Sequence, residues 1–153
     1  LNITVCCRSN DALWGAYGAN AVQFSILQEY LAACLGVGIG EYRQVSDSFH
    51  VYTESAVYQR IMATSYSGSP ISYPQEHFPL IADPTRFFYD VHRLFDNMNQ
   101  WPSIQGTVPW EPFFTAVVFP MLHVWFDHKT SCDAIVPLDS RRACTEWIQR
   151  RQK

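Results

Sequence analysis

The stretch from Leu1 to Gly36 sets the tightest limit on the fold. In LNITVCCR, Leu1, Ile3, Val5 and Cys7 alternate with Asn2, Thr4, Cys6 and Arg8. A period of two with β-branched residues marks a strand. SNDALWGAYGA follows, with Gly15 and Gly18, and reads as a turn region. In NAVQFSILQEYLAACLG the residues Val22, Ile26, Leu27, Tyr30, Leu31 and Cys34 recur at helical spacing. Asn20 suits the N-cap of this helix and Gly36 its C-cap. Glu29 is its only charged residue, which predicts a buried central helix. EYRQVSDSFHVY then predicts a second strand.

Helices dominate what remains. TESAVYQRIMAT predicts a short helix capped by Thr53 or Ser55. Residues 66–84 contain four prolines and predict a loop across a surface. DPTRFFYDVHRLFDNM predicts a helix with Asp83 at the cap and Pro84 in the first turn. Its expected apolar face is Phe87, Phe88, Val91, Leu94, Phe95 and Met98. VPWEPFFTAVVFPMLHVWFDHK predicts a helix kinked at Pro120. DSRRACTEWIQRRQK predicts a last helix with Trp147 and Ile148 inward. The order of strand, helix, strand and then helices gives an α+β class.

Composition excludes some functions. At 153 residues and 48% hydrophobic content the chain can bury a core. A net charge of -3 argues against a nucleic acid polymer as partner. No apolar run is long enough to predict a membrane span. Charged residues are only 16% of the chain, which predicts surface covered by a partner or by further chain. The start on Leu, directly in a strand pattern, is that expected of a fragment. The five cysteines, Cys6, Cys7, Cys34, Cys132 and Cys144, include no C-x-x-C pair and read as reduced thiols of a cytoplasmic protein. His123, His128 and Cys132 lack the second cysteine pair of a zinc site, and no metal is expected.

Arg8-Ser9-x-Asp11 after a strand, then Gly15, then Asn20 opening a helix, then His50-x-Tyr52 on the next strand resembles thymidylate synthase and the related pyrimidine hydroxymethylases. The resemblance covers residues 1–65 and implies the C-terminal part of a thymidylate synthase-like catalytic domain, with a mixed sheet around the buried helix. Residues 66–153 resemble the helical C-terminal extension of phage-type relatives, expected to pack on the same domain. Ser48, standing where synthases carry Asp, leans toward the phage hydroxymethylases.

The resemblance implies a folate-dependent transfer of a methyl or hydroxymethyl group to C5 of a pyrimidine deoxynucleotide. The expected substrate is dUMP, with dCMP as the other candidate, and 5,10-methylenetetrahydrofolate is the implied cofactor. Arg8 and Ser9 would bind the phosphate, since a guanidinium meets it bidentately. His50 and Tyr52 would bind the sugar hydroxyl. Asn20 would read the base edge, because an amide both donates and accepts. Asp11 and Asn20 hold catalytic positions, and Asp11 and Gly15 lie on the folate side. A homodimer in a bacterial or phage-infected cytoplasm is implied as well.

Other readings stay open. The family's nucleophile is a Pro-Cys-His cysteine, and none of the five cysteines stands in that setting, so it is expected upstream of Leu1. A non-catalytic nucleotide-binding or interaction module of the same fold is the alternative. Arg8 and Asp11 could be a plain surface pair. Asn20 could be only a helix cap, since the interval from Asp11 is one residue longer than the family's, which would land on Ala19.

Overall fold

The computed structural model describes residues 1–64, 78–101, 103–106 and 109–151, which fall in two compact units, Leu1–Ile71 and Ser72–Lys153. The expected proline-rich loop lies largely outside the described residues. No helix among them is long and apolar enough to cross a membrane.

The first unit is built on two parallel strands, β1 (Ile3–Asp11) and β2 (Tyr42–His50). Ile3 stands opposite Tyr42 and Asp11 opposite His50. Parallel neighbours need a crossover, and α1 (Asn20–Leu35) supplies it. Gly36 ends α1 in the left-handed region at φ 64°, ψ 33°, where a Cβ would be strained. A short α2 (Ala56–Ala63) follows, capped by Ser55, whose Oγ accepts from the Tyr58 N–H at 3.2 Å.

The two described strands pair in parallel, a pairing that a mixed sheet also contains. One expectation changes: α1 is not buried as a whole. Its buried residues are Gln28, Glu29 and Ala32, while Val22, Ile26, Leu27, Leu31 and Leu35 lie exposed. Two strands offer a helix only one narrow stripe to pack on, and part of that stripe is polar. The Gln28 amide donates to the carbonyls of Leu1 at 2.8 Å and of Gly40 and Glu41 at 3.2 Å. It thereby ties α1 to the backbone where the chain enters both strands.

The second unit contains α3 (Pro84–Asp96), α4 (Phe119–Phe126) and α5 (Leu138–Arg151), with a π-helical turn at Phe114–Val118 ahead of α4. Asp83 caps α3 by accepting from the N–H groups of Thr85 and Arg86. Leu94, Trp110, Phe114 and Phe119 form the core, flanked by Phe87, Val91, Met98, Trp101, Val118 and Leu122. Phe88 and Phe95 were expected on the buried face but are exposed. The packed stripe of α3 runs through Phe87, Asp90, Val91 and Leu94, and Phe88 and Phe95 fall to one side of it. Phe88 packs edge-on against His92 instead.

Pro120 lies in the first turn of α4, and what it does there differs from a simple kink. Having no N–H, it leaves the Ala116 carbonyl without its helical donor. The Val136 N–H donates to that carbonyl at 3.0 Å, and the neighbouring Ile135 is fully buried. In α5, Ile148 is buried and Trp147 stacks on Trp125 as expected of inward residues. All five cysteines are free thiols. Burial pushes the Cys144 thiol up to about 11, helped by a hydrogen bond and charge repulsion with Cys132.

Candidate functional site

In parallel sheets, ligand sites gather at the carboxyl ends of the strands, where helix N-termini also point. Here β1 and β2 both end at the residues singled out by the sequence. Asp11 closes β1, and its partner across the ladder, His50, closes β2. Asp11 Oδ1 accepts from the N–H groups of Leu13 at 3.1 Å and Trp14 at 2.6 Å. It is therefore the cap of the helical segment that follows, and no ion pair joins it to Arg8 among the described residues.

The alternation of burial along β1 stops just before its end. Ile3, Val5 and Cys7 are half-buried in alternation, then Arg8 and Ser9 are exposed in succession, and Asn10 is buried at 1% exposure. The ladder keeps its register through this stretch, and a guanidinium and a hydroxyl are both open to solvent near the strand end. The Arg8 guanidinium has no hydrogen bond or ion pair among the described residues.

The glycine-rich stretch is not a loop. Ala12–Ala19 is a π-helical segment with a kink at Gly18, and it runs directly into α1. The Asn20 N–H donates to the Gly15 carbonyl, the five-residue spacing of a π-turn. This wider turn takes up the one-residue excess in the interval from Asp11. Ala19 is exposed, and Asn20 is the residue that faces β1. Asn20 is not an N-cap: the preceding turn already satisfies the backbone there, and its side chain turns the other way. Its Nδ2 donates to Asn10 Oδ1 at 3.0 Å and lies 4.0 Å from Cys7 Sγ.

Asn10 is a hub that the sequence reading passed over. Its Nδ2 donates to Gln44 Oε1 and Ser46 Oγ, each at 3.0 Å. Gln44 in turn donates to the Ala16 carbonyl at 3.0 Å. The network joins both strands, the π-helical segment and α1. A Cβ on Gly15 would lie 2.3 Å from Asn10 Oδ1, so the close approach made possible by Gly15 is to the Asn10 side chain. The available signal was Gln44 itself, a polar residue at an inward position between Tyr42 and Ser46. The Tyr42 hydroxyl donates to the Asn20 carbonyl at 3.3 Å, and burial followed by the charge of Cys7 raises its pKa.

His50 and Tyr52 were expected on one face of a strand. The strand ends at His50, yet the two rings meet edge-on at 5.1 Å beyond its end. Arg8, Ser9, Asp11, His50 and Tyr52 thus share the carboxyl end of the strand pair, while Asn20 stands on the helix side of β1. The second unit has a cleft of about 540 Å³ lined by residues including Met98, Trp101, His123 and Asp127, and no residue of the sequence motif lines it.

Comparison with known proteins gives a consistent set of relatives. The chain is 35% identical over 174 aligned residues to a deoxyuridylate hydroxymethyltransferase of Pseudomonas phage M6, covering 99% of this chain and 48% of the relative. It is 50% identical over 110 residues to a deoxyuridylate hydroxymethyltransferase of Bacillus phage SP01, covering 68% of this chain and 29% of that protein. Over 51 residues it is 45% identical to a Methanocaldococcus jannaschii protein whose name includes the words "thymidylate synthase", covering 33% of this chain and 22% of that protein. The chain spans less than half the length of these curated relatives. No family model and no solved structure matches it.

Proposed function

We propose, from the premise that this chain belongs to the thymidylate synthase-like family, that it carries the nucleotide-binding half of an enzyme adding a one-carbon unit to C5 of dUMP. The observation that carries the reading is the gathering of Arg8, Ser9, Asp11, His50 and Tyr52 at one end of a parallel strand pair, with Asp11 opposite His50. Residues 1–65 hold this site, and residues 66–153 form its helical extension.

Each side chain has a task its chemistry suits. Arg8 forks onto two phosphate oxygens and Ser9 donates a further hydrogen bond. His50 and Tyr52, held ring against ring, take the sugar hydroxyl between them. Asn20 meets the base edge. None of the five cysteines stands in a Pro-Cys-His setting, so these residues bind and orient rather than attack. Methylenetetrahydrofolate, when bound, supplies the one-carbon unit. Asp11 fits it: Oδ1 serves as the helix cap, and Oδ2 has no donor among the described residues, leaving it to accept from the N–H groups of a pterin. The exposed Val45 and Phe49 on β2 support a homodimer formed through the sheet.

The test is product formation by the full-length protein from dUMP and methylenetetrahydrofolate, read by mass. The nucleotide is expected to gain a hydroxymethyl group, as the names of the two phage relatives lead us to propose. Gain of a methyl group would keep the family reaction and change the product. Tight dUMP binding with no conversion under any folate condition would replace the enzyme by a nucleotide-binding module.

A further inference from the structure

We infer that Asn10 is a positioning residue for base choice: it fixes which atom of the Asn20 amide faces the nucleotide. The inference rests on the reading above that Asn20 meets the base.

The argument begins at a backbone carbonyl. Ala16 O can only accept, so the Gln44 group 3.0 Å from it must be Nε2. Gln44 Oε1 is then the atom facing Asn10, and it must receive an N–H. Asn10 Nδ2 has two hydrogens, and Gln44 Oε1 and Ser46 Oγ take them both. Asn10 Oδ1 is left as an acceptor, and Asn20 must donate to it through Nδ2. The second hydrogen of Asn20 Nδ2 points toward Cys7 Sγ at 4.0 Å. Asn20 Oδ1 remains, with no donor among the described residues.

Oxygen and nitrogen of an amide are ordinarily assigned from their neighbours. This network has one solution because it starts on an atom of fixed character. Asn10 is 1% exposed, so water does not compete for its polar atoms. The relay therefore leaves the Asn20 carbonyl oxygen as the acceptor open to the base. Uracil offers an N–H at N3, whereas cytosine has a bare acceptor there, and an acceptor facing an acceptor is repelled. The preference for uracil is thus set one residue behind the residue that touches the base.

The experiment compares kcat/KM for dUMP and dCMP in the full-length protein. Asn10→Leu removes the relay, and Asn10→Ser replaces it with a hydroxyl that can donate or accept. Both are expected to lower the dUMP:dCMP ratio about tenfold or more. Asn10→Asp still accepts from Asn20 Nδ2 and is expected to keep the ratio while its melting temperature falls. Asn20→Ala tests the underlying reading and is expected to lose the discrimination. An unchanged ratio in Asn20→Ala overturns base reading at Asn20, and the relay with it. A lowered ratio in Asn20→Ala together with an unchanged ratio in whichever of Asn10→Leu and Asn10→Ser folds overturns the relay alone. Loss of the ratio in folded Asn10→Asp also overturns it, because a carboxylate retains the acceptor.

Discussion

Asp90→Ala is expected to destabilise the second unit by about 3–5 kcal/mol, as breaking a buried charge pair does. Asp90 is 1% exposed and lies between two arginines on its own helix. Arg93 Nη1 is 3.7 Å away, on a side chain only 10% exposed, and the more exposed Arg86 Nε is at 3.9 Å. Asp90 also accepts from the Glu111 N–H at 2.7 Å. Glu111, equally buried, accepts from the N–H groups of Ala82 at 2.6 Å and Asp83 at 2.8 Å, just where α3 begins. One carboxylate thus fixes the Glu111 backbone, and the Glu111 side chain fixes the start of the helix carrying that carboxylate. Alanine at position 90 removes an anionic neighbour of two cations and leaves a buried N–H without its acceptor. Asp90→Asn, which can still accept that N–H, should lose less. Urea unfolding of the full-length protein measures both, and a loss under about 1 kcal/mol for Asp90→Ala would fall in the range of an exposed pair and contradict the account.

Arg8→Ala should weaken dUMP binding about tenfold or more, the effect of losing a charge-assisted hydrogen bond of roughly 1.5–3 kcal/mol. The exposed guanidinium has no partner among the described residues, so its removal should leave the fold intact. Deoxyuridine, which has no phosphate, provides the control. Its affinity should be the same for wild type and variant, and calorimetric titration of both ligands separates loss of the phosphate contact from general damage. A parallel loss for both ligands would show that Arg8 supports the fold instead.

The parts of this molecule that follow a local rule were legible in the sequence. The alternation of β1 and β2, the helical spacing of α1, the caps at Ser55 and Asp83 and the left-handed Gly36 depend on residues within a few positions of one another. The parts that depend on distant partners were not. The low charge of α1 predicted burial, but a sequence does not say how many strands stand ready to cover a helix. Gln28 reads as an ordinary polar helix residue until the three carbonyls it serves are brought beside it. The burial of Asp90 and Glu111 has no local sign in the sequence, because the backbone donors they serve lie 21 to 29 positions away. The π-turn was half legible: the interval from Asp11 to Asn20 was one residue too long, and that extra residue is what the wider turn absorbs. Asn10 went unread because its neighbours Arg8, Ser9 and Asp11 carry the recognisable chemistry. Its own part, holding Gln44, Ser46 and Asn20 together, exists only once both strands and the helix have met.

The most direct measurement is a crystal structure of the full-length protein with dUMP bound. The phosphate is expected within hydrogen-bond distance of Arg8 and Ser9 at the carboxyl ends of β1 and β2. The sugar hydroxyl is expected against His50 and Tyr52, and N3 of the uracil toward Asn20 Oδ1. A nucleotide bound with its phosphate away from Arg8, or its base away from Asn20, would contradict the account.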